Sequence, residues 1–281
     1  KKESKVNVSS YLNPITLANI RSVPKKESIN RINKSIQIGA SDKRWRRNAD
    51  GSFINRFPRG NKFGDKITIT SNVSDKELTV VSVLLDELND LAKKYNVPQI
   101  RGLRISPSKR YNMAMGDGVL YIDSKGLKRS VAFMEKNEKA SISTWKYGDN
   151  IKNKPTVTSL YYGNYLDKTR NSMYHEFGHN IHQMKYVTAT TKDKLGKLYG
   201  EKGFTPEIEA KIKKILRQER KKLPIQTFTT SDISIGNSEY GNTNYAEWFA
   251  EQFAVYSNGK LDKVHPAFIK LIKEIEDEVG R

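Results

Sequence analysis

The chain has 281 residues, no cysteine, and 50 Lys and Arg against 31 Asp and Glu, a formal net charge of +19. That length holds one sizeable core with an extension, or two small domains, and the lack of cysteine excludes disulfides and thiolate metal ligands. No run of about twenty apolar residues occurs, so no transmembrane helix is expected.

Positive charge is densest in residues 1–65, where Lys25-Lys26, Lys43-Arg44-Trp45-Arg46-Arg47, Arg56 and Arg59 stand among Ser, Asn and Gly. This stretch reads as a basic N-terminal extension or linker, and residues 66–281 as the folded domain. Arginines around Trp45, with Phe53 and Phe57 close by, suit weak binding to nucleic acid or another polyanion. No helix-turn-helix, zinc-finger or ribonucleoprotein signature accompanies them. Because the first residue is Lys1, the native N terminus and any signal peptide are expected upstream.

Lys66–Thr70 alternates like a strand. Ser74-Asp75-Lys76-Glu77 is a capping box, and Val81, Leu84, Leu85, Leu88, Leu91 and Tyr95 form the apolar face of the helix it opens. Asn96-Val97-Pro98 ends that helix. Ile100–Ile105 reads as a second strand, and Gly116-Asp117-Gly118 leads into a short strand, Val119–Asp123. Thr205-Pro206-Glu207 starts a helix with Ile208, Ile212, Ile215 and Leu216 on one side. Its remaining surface, with Lys211, Lys213, Lys214, Arg217, Arg220, Lys221 and Lys222, is a solvated basic face or a contact for an acidic partner or membrane. A last helix begins at Pro266 and carries Phe268, Ile269, Leu271, Ile272 and Ile275.

The segment His175-Glu176-Phe177-Gly178-His179 carries the chemistry, because it reads H-E-x-x-H in a chain with four histidines. Asp167 is the expected cap of its helix, and Met173, Tyr174, Phe177, Ile181 and Met184 recur at helical spacing. On a helix, His175 and His179 lie on one face and can direct two imidazole nitrogens at one ion. Glu176 sits about 100° round the helix, beside the ion, where it can take a proton from a water the metal activates. Gly178 costs the helix about 1 kcal/mol relative to Ala, and its lack of a side chain would admit a close neighbour.

A catalytic zinc usually keeps three protein ligands. His182 lies two turns from His175, too far along a straight helix to share its ion, and His265 precedes Pro266 and marks a helix start. Glu247 is the preferred third ligand. It stands four residues before Glu251 in Asn244–Tyr256, an apolar helical run opened by a cap-capable Asn244 and stopped by Ser257-Asn258-Gly259. Two carboxylates on one face of such a helix repel each other unless a cation or donor separates them. Glu251 is then the outer acceptor that orients a liganding histidine.

Tyr240–Glu251, with His175–His179 before it, resembles the catalytic domain of the anthrax lethal factor family of zincin metallopeptidases. The resemblance covers roughly residue 67 to the C terminus, though only those two segments are specific, and the insertion between them is longer than the family leads one to expect. It implies an α+β zincin fold, with a small twisted sheet, an active-site helix and a mainly helical C-terminal lobe. It also implies one Zn²⁺ per chain, held by His175, His179 and Glu247, with Glu176 as general base. Tyr240, seven residues before the ligand glutamate, would assist at the transition state. In zincins the strand at the lower edge of the sheet pairs with an extended substrate, a role assigned on this reading to Val119, Leu120, Tyr121 and Ile122 of Val119–Asp123, the alternative being an ordinary structural strand. The expectation is a zinc-dependent endopeptidase acting on a protein or peptide, from a secreted bacterial or phage-associated source. The competing expectation is a basic nucleic-acid-associated or phage virion structural protein whose metal site is vestigial or processes a partner.

Overall fold

In the computed structural model the described residues are 25–35, 45–47, 53–55, 67–70, 72–95, 97, 100, 102–116, 119–136, 138, 164–186, 206–222, 240–242 and 244–279. They make an α+β arrangement, mostly helical, around a small four-stranded mixed sheet.

The N-terminal elements are helix α1, Lys25–Ser35, and a short antiparallel hairpin of β1, Trp45–Arg47, and β2, Phe53–Asn55. Strand β3, Ile67–Ile69, leads into helix α2, Asp75–Lys94. The predicted capping box is present. Ser74 accepts from the Glu77 amide at 3.3 Å, and Glu77 accepts from the Ser74 amide at 2.9 Å. Strand β4, Gly102–Ser106, starts later than the Ile100 read from sequence.

Strand β5, Met113–Gly116, and strand β6, Val119–Asp123, form the other half of the sheet, whose order is β3-β4-β6-β5. The first three run parallel, and β5 is antiparallel to β6. Register aligns Ile69, Ile105, Ile122 and Met113 in one row and Leu103, Leu120 and Met115 in the next. Side chains alternate across a sheet, so these rows share the face that carries the buried core.

This topology corrects the assignment of Val119, Leu120, Tyr121 and Ile122 to an edge strand. β6 is paired on both sides, by β4 and by β5, and has no ladder to offer a peptide. The edge belongs to β5. The Asp123 amide donates to the Asn112 carbonyl at 2.8 Å, which makes those residues a hydrogen-bonded pair. Alternation along an antiparallel ladder then turns the amides and carbonyls of Met113 and Met115 outward, away from β6.

Helix α3, Ser124–Glu135, follows β6 directly, because Asp123 both ends the strand and caps the helix by accepting from the Gly126 amide at 2.8 Å. Helix α4, Tyr165–Tyr186, lies beside β5 and packs against helix α6, Tyr245–Ser257. Its cap is Asn164 and not Asp167: the Asn164 side chain accepts from the Asp167 amide, and Asp167 accepts from the Asn164 amide, both at 3.0 Å. Helices α5, Pro206–Arg220, and α7, Pro266–Val279, start at the prolines that mark them in the sequence and pack on each other.

One continuous core joins α2, the sheet, α4, α6 and α7. It includes Ile32 of α1, which is fully buried, and Ser28 of α1 hydrogen-bonds Thr79 of α2 at 3.2 Å. Lys25–Ser35 is therefore part of the core, inside the stretch that sequence alone marks as an extension.

Candidate metal centre

The site is assembled where α4 crosses α6. Gly178 makes the crossing close: a Cβ built there would lie 2.9 Å from the Ala250 Cα and 3.1 Å from the Phe253 Cβ. A side chain at this point would hold the helices apart. On α4, Met173, Phe177 and Ile181 are fully buried, so the helix can rotate little about its axis and His175 and His179 are held toward α6. A second anchor lies on the α2 side. Arg170 pairs with Glu87 at 3.0 Å and with Asp167 at 2.9 Å, and the Tyr174 hydroxyl donates to Glu87 at 2.8 Å.

Across the crossing, Asn244 caps α6 as predicted, accepting from the amide of Glu247 at 2.9 Å. Glu247 thus sits in the first turn with its backbone fixed. Its Oε2 is 3.1 Å from His175 Nε2 and 3.2 Å from His179 Nε2. Donor atoms of His175, His179 and Glu247 all lie within 4.8 Å of one another, so the three could hold a metal ion. His175 Nδ1, on the other side of its ring, lies 2.9 Å from Glu251 Oε1, near enough for contact but off the direction of a well-formed hydrogen bond. Glu251 itself is buried.

The electrostatics fit a cation. Burial opposes charge on His175, yet its hydrogen bond with Glu247, its close contact with Glu251 and the charges of Glu251 and Glu176 raise its pKa to about 10. Burial also works against charge on Glu247, and the two imidazoles overcome it, holding the carboxyl far below the usual range. Glu176 is raised, chiefly because it is buried, with the histidines pulling the other way and the backbone of Met115 hydrogen-bonded to its carboxylate. That amide is one of those turned out from β5, so the edge strand and the candidate base are in contact.

Tyr240 sits in a turn of 3₁₀ helix, Tyr240–Asn242, just before α6. Its ring centroid is 5.6 Å from that of His175, and it is 45% exposed. Burial of its remainder and the nearby charges of Glu247 and Glu176 push its hydroxyl up to about 12. The hydroxyl is therefore a proton-bearing donor at neutral pH.

The structure thus brings His175, Glu176, His179, Tyr240, Glu247 and Glu251 together. His265 stays apart, at the start of α7: its Nδ1 accepts from the Ala267 amide at 3.0 Å, and its ring packs on Trp248. Arg44, Arg56 and Arg59, and the side chains of His182, Trp45, Arg46 and Arg47, lie outside the described residues. Sequence reasoning missed Met115, because a backbone amide leaves no mark on residue type. It also missed Arg170 and Glu87, whose charges on otherwise apolar helical faces were the available signal. No family model, curated protein or solved structure matches this chain.

Proposed function

We propose that this protein is a zinc-dependent endopeptidase of zincin type, related to the anthrax lethal factor family. The observation that carries the proposal is the convergence of His175, His179 and Glu247 donors within 4.8 Å, with Glu176 beside them. Two imidazoles and one carboxylate are the ligand set of catalytic zinc, which leaves a further position for water. Zinc held there would acidify a water and polarise the scissile carbonyl.

The remaining chemistry belongs to the chain. Glu176, with a pKa raised by burial, accepts a proton from the attacking water and returns it to the leaving amine. Tyr240 donates a hydrogen bond to the oxygen on which negative charge grows. Glu251 holds the His175 ring from behind, a positioning role. An extended peptide would add as a further strand to the outer edge of β5, where the Met113 amide and carbonyl and the Met115 carbonyl face away from β6 and the Met115 amide is given to Glu176.

The test is metal analysis joined to cleavage of a peptide library, comparing the wild type with Glu176→Gln. About one zinc per chain in both proteins, with cleavage abolished only in the variant, is expected. Undiminished cleavage by Glu176→Gln, or failure of the wild type to take up zinc, would discard the proposal.

A further inference from the structure

Helix α5 turns its apolar side inward. Ile212 and Leu216 are fully buried, and the helix packs on α7. Lys214, Arg217 and Lys221 are exposed on the opposite side, with Lys213 at the margin. At 1.5 Å per residue they follow one another in steps of about 4.5 and 6 Å, a single row of cations along the helix. Ala210 has no side chain beyond Cβ, and the row borders a concavity of about 400 Å³ lined by Ala210, Lys213, Lys214, Arg217, Gln218 and Lys221.

Among the described residues, several acids that pair with cations of this helix lie on its other flank. Lys211 pairs with Glu274 of α7, Glu219 receives Lys222 and Lys270, and Lys213 comes within 4.0 Å of Glu209. The row also lies away from the metal centre. The Lys213 ammonium stands 5.5 Å over the ring of Tyr245. Tyr245 and Glu247 are two residues apart on α6, hence about 200° apart around it. The basic face therefore meets α6 on the side opposite the ligand.

We propose that this face binds the phosphate backbone of nucleic acid, independently of base sequence. Cations in a row suffice for that ligand, because neutralised phosphates release counterions. A protein partner would need an apolar or aromatic anchor, and among the described residues the row of Lys214, Arg217 and Lys221 supplies none. A bilayer would need an apolar side to insert, but that side of α5 is buried in the protein, and a flat surface meets a concavity only at its rim. The row itself carries no ring, and the Tyr245 ring lies under the Lys213 ammonium, so binding tracks charge and not sequence.

The experiment measures anisotropy of a labelled mixed-sequence single-stranded 20-mer against the full chain at several salt concentrations. Lys214, Arg217 and Lys221 are replaced together by Ala in one variant. A second variant replaces three exposed α3 cations, Lys125, Lys128 and Arg129, and has the same net charge. Equal melting temperatures and zinc contents establish that both variants fold. The α5 variant is expected to bind at least tenfold more weakly, with the log–log salt slope reduced by about 2 to 3, while the α3 variant changes less than threefold. Equal losses in both, or none in the α5 variant, would overturn the proposal. So would stronger binding to phosphatidylserine vesicles than to the oligonucleotide, lost in the same variant.

Discussion

His175 is gripped from both sides of its ring, by Glu247 at one nitrogen and Glu251 at the other. Glu251→Gln keeps the shape and removes the charge behind the ring, so metal affinity should fall by about ten- to a hundredfold, read by chelator competition. Unchanged affinity would reduce Glu251 to a buried acid with no part in the site. Tyr240→Phe deletes one hydroxyl that is protonated throughout the working range. Zinc content should persist while kcat drops by about a hundredfold or more, and a full rate on a good peptide would remove Tyr240 from the chemistry. His265 makes a separate prediction, about pH. Burial holds its pKa down to about 3, with Glu219 acting in the opposite sense, against an ordinary value of 6.5. The unfolded chain therefore binds a proton that the folded chain refuses. Stability that is intact above pH 6.5 is lost as pH falls toward 3, by about 3 kcal/mol at pH 4. His265→Asn retains an acceptor for the Ala267 amide but does not titrate. Urea unfolding at pH 7 and pH 4 should show the variant losing less than the wild type by about that amount. Equal losses would mean that His265 does not shape the acid limb.

At the scale of elements, the close crossing of α4 and α6 is set by one missing side chain. Gly178→Ala gains about 1 kcal/mol in helix propensity, but its Cβ would meet the Ala250 backbone at 2.9 Å, which cannot swing aside as a flexible side chain can. Overpacking of that kind costs about 1–3 kcal/mol, so the clash wins. The variant should melt lower and bind zinc more weakly, because the helices carry ligands on facing sides. A rise in melting temperature with normal zinc affinity would show that the crossing has slack. Helices were the most legible elements, since their ends are written in local chemistry: Ser74 with Glu77, Asn244, Pro206 and Pro266. The sheet was less so. Met113-Ala114-Met115-Gly116 lacks β-branched residues and is a strand because β6 lies beside it. The order of strands depends on long-range pairing, which explains why β6 could be found as a strand and still be put at the wrong place in the sheet. The three candidate ligand positions were legible because their side chains advertise their chemistry at helical spacing.

Across the whole molecule, the boundary drawn after residue 65 followed a change in composition, and composition does not report what a single buried isoleucine does. Ile32→Ala should cost about 2–4 kcal/mol, because a fully buried side chain is removed from the seam between α1 and α2. A chain beginning at Lys66 would bare the α2 surface that α1 covers and should melt lower than the full chain. If calorimetry finds Ile32→Ala neutral and the shortened chain equally stable, α1 is dispensable.

The candidate metal centre also has a temporal side. His175 and His179 are one helical turn apart, whereas His175 and Glu247 are 72 positions apart in the chain. Forming α4 alone brings the imidazoles together, a local event on the microsecond scale, but the carboxylate arrives only when a long loop has closed and α6 has docked. During refolding an ion can therefore be captured in two stages: loose and exchangeable on the histidine pair, then locked as the last helices settle. The off-rate of the metal would serve as a clock for completion of the fold.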